Sequence, residues 1–158
     1  MTASPSSPSS ARPYLRLLVA PREDLQQAWY TLADRDLRLF LLRQGHLLAD
    51  PSLAHWVVEM CAELAWESRA GSADWSALSV GEVWQRLANL HRFFPQPRLV
   101  VAFYETLHMF LPWLTTQGRL ERHTCLAMLD RLDRVRSPML ERAREQLALR
   151  LKFRERAR

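Results

Sequence analysis

Glycine is nearly missing from this chain, at four residues in 158. Loops that cradle phosphates, nucleophile elbows and dinucleotide-binding turns all need closely spaced glycines, and no Gly-x-Ser-x-Gly or Gly-rich phosphate loop is present. His-Glu-x-x-His and a Cys-His-Asn constellation are absent as well. We therefore expect no enzyme and no cofactor. Cysteine is equally scarce. Cys61 and Cys125 lie in separate apolar-periodic segments without Cys-x-x-Cys or Cys-x-x-His spacing, which argues against a zinc knot or a disulfide framework. Buried free thiols in a reducing compartment account for them. No run reaches the roughly 20 apolar residues of a bilayer span, and the N-terminus lacks a basic region followed by an apolar stretch. The expectation is a cytoplasmic protein with no membrane span.

Lysine is the last scarcity. Twenty-one of the 22 basic residues are arginine, a habit of GC-rich genomes, and we expect a bacterial protein. Hydrophobic residues make up 48% of the chain, enough for a core without disulfides, and the abundance of Leu, Ala, Arg, Glu and Gln favours helix throughout. The reading is an all-α single domain of six or seven helices.

Its centre is expected at Leu99 to Leu114, LVVAFYETLHMFLPWL, where only Glu105 and His108 can ionise. A helix apolar on every side is a buried one, and we place this central helix at about 98–117. Pro112 either bends it or stops it before Gly118. Residues 1–13 are Ser, Pro and small residues that bury too little apolar surface to order, so they read as a disordered tail preceding a helical domain at 14–158. Tyr14 to Ala20 is a short apolar segment between two prolines. From Arg22 the spacing turns helical, with Asp34 as a cap or kink and Gly45 as a C-terminal glycine. Asp50-Pro51 reads as an N-cap followed by a first-turn proline, opening a helix to about Arg69. Ala70 to Leu78 reads as loop. Ser79 and Glu82 form a capping box, and Pro95 and Pro97 end the helix that it opens. Residues 119–158 read as a basic helix pair, divided at Ser137-Pro138.

Charge is distributed unevenly. Residues 1–118 carry ten arginines against eleven acids, whereas 119–158 carry twelve basic residues against six acids. The excess at the C-terminal end suits an acidic partner surface, nucleic acid or a membrane face, against the plain alternative of a solvated arginine-rich helix. Interleaved Asp130, Asp133, Glu141, Glu145 and Glu155 dilute it, and no helix-turn-helix, RNA-binding aromatic motif or zinc finger accompanies it.

Three groups of residues are candidates for function. In the last helix Leu140, Ala143, Leu147 and Leu151 form a stripe, while Leu149 and Phe153 lie roughly 160° or more around from it at 100° per residue. One side can face the domain, and the other needs a partner. Leu149 and Phe153, with Arg142, Arg150, Lys152, Arg154 and Arg156 around them, have the make-up of a buried anchor with a charged rim. The second group is acidic. His55, Glu59, Glu63 and Glu67 climb one side of their helix, flanked by Trp56 and Trp66, and like charges at that spacing call for a cation nearby. Trp56, Glu59, Glu63 and Trp66 are thus candidate partner contacts. Third, Glu105 and His108 have the Glu-x-x-His spacing of carboxylate-bridged metal bundles, although those sites use two such units and one is present here. We expect a structural pair rather than a metal site.

The function expected is a non-catalytic interaction or assembly subunit of a larger bacterial complex, binding another protein or a second copy of itself. A basic helical subunit of a nucleoprotein complex is the alternative, and a metal-dependent helical-bundle enzyme the third reading.

Overall fold

The computed structural model describes residues 21–69, 73–90 and 97–156. The expected tail at 1–13, the segment from Tyr14 to Ala20 and Pro95 lie outside them. The fold is all-α. Among the described residues there are five α-helices and no strand: α1, Arg22–Gln44; α2, Pro51–Ser68; α3, Val80–Leu90; α4, Pro97–Thr116; and α5, Arg122–Arg156. Short 3-10 turns lie at Gly45–Leu47 and Trp75–Ala77. No helix among the described residues is long and apolar enough to cross a membrane.

The count falls short of six or seven because two expected breaks are absent. Helix α1 runs without interruption through Asp34, which pairs with Arg38 one turn on at 2.8 Å instead of capping a new helix. Ser137-Pro138 does not divide the C-terminal segment either. Helix α5 continues through Pro138 for 35 residues, so the expected helix pair is a single rod of about 52 Å at 1.5 Å per residue. A proline leaves one intrahelical hydrogen bond unmade. Met139 and Ala143, buried just beyond it, hold the helix to the body across that gap.

Other local readings meet their physical reasons. The Asp50 carboxylate accepts from the Leu53 N–H and Pro51 takes the first turn, as an N-cap requires. That carboxylate also pairs with Arg98 at the start of α4, and the Leu53 bond foremost, then Arg98, hold its pKa below the ordinary value. The capping box at α3 is half formed. Glu82 N–H reaches Ser79 Oγ at 3.4 Å, but the Glu82 carboxylate accepts from Ser68 Oγ of α2 at 3.1 Å. Gly45 is right-handed and leads into a 3-10 turn rather than a left-handed cap. The left-handed glycine is Gly118, at φ 67°. There Arg119 N–H bonds to Leu114 C=O at 2.9 Å and Gly118 N–H to Thr115 C=O at 3.1 Å, the paired bonds of a Schellman cap. Helix α4 accordingly runs past Pro112 and stops at the glycine.

The core is shared by α2 and α4. Helix α2 packs on α1, α3, α4 and the Trp75 turn; α4 packs on α1, α2 and α5. Helix α4 is not apolar on all sides in its setting: Val101 is exposed, and Tyr104, Glu105, His108 and Met109 are half-buried. Its buried side joins an aromatic cluster, with Phe110 against Phe40 and Trp75 at centroid distances of 5.1 and 5.0 Å, and Trp29 against Trp75 at 5.0 Å. Trp75 lies in a stretch whose sequence reads as loop, yet it is 1% exposed. Its indole N–H donates to Asp36 Oδ2 at 2.8 Å, and Arg119 Nε meets the same oxygen at 3.3 Å. Asp36, 5% exposed, thereby ties α1 to the turn before α3 and to the connection between α4 and α5.

Candidate interaction surface

The distal part of α5 is the clearest departure from a closed core. Leu132, Met139 and Ala143 face the body and are buried, and Ala143 is the last to be so. Every side chain described from Arg144 onward is exposed. The expected domain-facing stripe therefore ends early. Leu147 and Leu151 are 39% and 52% exposed, because among the described residues no element of the body extends far enough to cover them. Leu149 and Phe153 are more open still, at 54% and 68%. Thirteen residues, about 20 Å of helix at 1.5 Å each, project with apolar side chains on two sides. Arg142, Lys152 and Arg154 are exposed around them; Arg150 and Arg156 lie on the same helix, their side chains outside what the structure describes.

The acidic face on α2 divides. Glu59, Glu63 and Glu67 are exposed and Trp56 is half-buried, but Trp66 is 5% exposed and belongs to the core. Trp66 is thus removed from the expected surface, because α2 is packed by neighbours on several sides and keeps only a narrow outward stripe. The cation that this stripe calls for comes from the chain itself. Arg86 of α3 lies 2.8 Å from Glu67 and 3.7 Å from Glu63, and His55 is 2.9 Å from Glu59. Between this stripe and α1 lies a cavity of about 300 Å³. Ala33, Leu37, Val58 and Ala62 form its floor, with Tyr30, Asp34, Glu59 and Glu63 around it.

Glu105 and His108 are not brought onto a common centre with further ligands. Among the described residues no group of three or more His, Cys, Asp or Glu side chains is placed to hold a metal ion. The imidazole faces α5, with Nε2 3.6 Å from Asp133 Oδ1. Tyr104 donates its hydroxyl to that same oxygen at 2.8 Å, lies tilted against His108 at 5.0 Å between ring centres, and sits 4.4 Å under the Arg136 guanidinium. Hydrogen bonding to Asp133, then burial and the Asp133 charge, push the phenol pKa up, against a smaller opposite pull from Arg136. The group fastens α4 to α5. Both cysteines are buried free thiols, and burial alone raises the Cys61 pKa far out of the reactive range.

The chain matches no known protein-family model, no curated protein and no solved structure. Its surface must be read from its own chemistry. One further patch had no place in the sequence reading: Leu39, Leu42 and Leu47 are exposed at the end of α1 and the turn after it. Leu39 and Leu42, three apart, mark a second apolar side of α1, a signal overshadowed by the stronger Leu37 and Phe40 stripe.

Proposed function

We propose that the chain is a non-catalytic interaction or assembly subunit of a larger bacterial complex, joined through the distal half of α5. The observation that carries this reading is the projection of residues 144–156 with Leu147, Leu149, Leu151 and Phe153 exposed. Four large apolar side chains exposed along thirteen residues and interspersed with charge are uncommon on a closed monomer, and each pair has the form of an anchor with a polar rim. Replacing Leu149 and Phe153 together by Asp tests it. Far from the core, the change should move stability by no more than about 0.5 kcal/mol per site while abolishing the complex. Unfolding of this variant, or an unaffected complex, would sink the reading.

A second reading, a subunit of a nucleoprotein complex, is favoured by the continuity of α5, which sets exposed Arg131, Arg134, Arg142, Arg144, Lys152 and Arg154 along one rod. Two of its arginines are already engaged, Arg134 with Asp130 at 2.7 Å and Arg136 with Tyr104. Binding of this kind would fall steeply with salt and weaken on charge reversal at Arg142, Arg150 and Arg154.

A further inference from the structure

The projecting end of α5 and the cavity between α1 and α2 are complementary, and both belong to this chain. The donor is basic as well as apolar. Residues 144–156 hold five basic side chains against two acidic ones, so pairing two such ends side by side would set like charges together. The receiving surface must be apolar and acidic. Among the described residues outside α5, Val101 is exposed singly and the hollow along α1 at Asp24, Ala28, Leu32 and Arg35 carries one charge of each sign, which leaves the Leu39, Leu42 and Leu47 patch and the cavity with its buried apolar floor, and these two differ in sign. The Leu39, Leu42 and Leu47 patch is framed by Arg35, Arg38 and Arg43, which repel a cationic helix. The cavity offers the opposite charge. Its rim and the ion pairs that touch it comprise Asp34, Glu59, Glu63 and Glu67 against Arg38 and Arg86, with the His55 imidazole beside Glu59, so that carboxylates outnumber the arginines paired with them.

Size points the same way. At about 300 Å³ the cavity lies at the lower limit of ligand sites and suits one bulky side chain. Phe153 is the exposed aromatic of the projecting helix, and it stands between Lys152 and Arg154. Seated over Ala33, Leu37, Val58 and Ala62, its ring would meet Tyr30 while the flanking cations reach Asp34, Glu59 and Glu63. The helix cannot turn back into its own cavity. It packs on α3 and α4 as one continuous rod, whereas the cavity lies between α1 and α2.

We propose that the chain self-associates heterologously, the Phe153 end of α5 from one copy entering the α1–α2 cavity of the next. This rests on the α5 end being the interaction surface, and it names the occupant as a second copy. Contacts that close on each other make a two-fold dimer; contacts that do not close make a chain of copies.

The test uses the full chain in a sedimentation equilibrium series, wild type beside Leu149→Asp with Phe153→Asp and Glu59→Arg with Glu63→Arg. Wild type should gain mass with concentration and lose it with added salt, and each variant should stay monomeric while melting as a folded protein. Mixed in equal amounts, the two variants should recover a dimer, since one keeps the helix and the other the cavity. A monomeric wild type at all concentrations overturns the proposal. An oligomer lost in the helix variant but kept in the Glu59→Arg, Glu63→Arg variant overturns the cavity while leaving the α5 end as the surface. An oligomer that persists in the helix variant overturns both. Unfolding of the helix variant overturns the proposal together with the reading it rests on; should the Glu59→Arg, Glu63→Arg variant fail to fold, the milder Glu59→Gln with Glu63→Gln gives the same comparison, expected as a several-fold weaker association.

Discussion

Asp36 shows what a single residue does here and why it was hard to see. A carboxylate spaced one residue before the apolar Leu37 reads as a solvated position, since acids are rarely buried unless paired. Its partners come from 39 and 83 residues away, Trp75 and Arg119, and no local pattern announces either. Arg119 is delivered by the left-handed turn at Gly118, and Trp75 by a 3-10 turn inside a stretch whose Gly, Ser and Asp content reads as loop. Removing the carboxylate leaves the Trp75 N–H in the core without an acceptor. Asp36→Ala should therefore cost about 2 kcal/mol, lowering Tm by roughly 4–8 °C in a chain of this size. Trp75→Phe removes the donor, so the double variant should lose less than the two single variants combined. Strict additivity in thermal melts would show that the contact couples nothing.

At the level of elements, the caps that depend on near neighbours were legible and the breaks that depend on packing were not. Asp50-Pro51 carries its own start signal within four residues, and the structure uses it. Ser137-Pro138 carries the same signal but sits in a helix already anchored by Leu132 before it and by Met139 and Ala143 after it. Burial on both sides outweighs one missing hydrogen bond, and the start signal goes unused. Pro138→Ala discriminates between the two states. In a helix interior proline is about 3 kcal/mol worse than alanine, and freeing the unfolded chain returns about 0.4–1 kcal/mol. The continuous helix predicts a net gain of about 2 kcal/mol in denaturant unfolding. A helix start at this position predicts no gain, because proline is at home in the first turn.

For the molecule as a whole, the all-α class follows from composition, whereas the asymmetry between a shared core and a projecting arm does not. The stripe of Leu140, Ala143, Leu147 and Leu151 is continuous in sequence, and only the reach of α3 and α4 decides that its second half is left uncovered. This matters for stability as well as for binding. Thirteen residues beyond Ala143 are close to the length of about 12–15 below which isolated helices are marginal in water. Their helicity is propagated from the packed part. Amide hydrogen exchange should then show two classes. Amides of α2 and the buried side of α4 should exchange only through near-global opening, while those past Ala143 exchange through local fraying at free energies near zero. Raising the protein concentration into the range of self-association should slow the distal amides of α5, together with those of Tyr30 to Leu37, and leave the rest unchanged. Uniform protection along α5 in dilute solution would mean that the arm is covered within a single copy, and the surface assigned to it would have to be sought elsewhere.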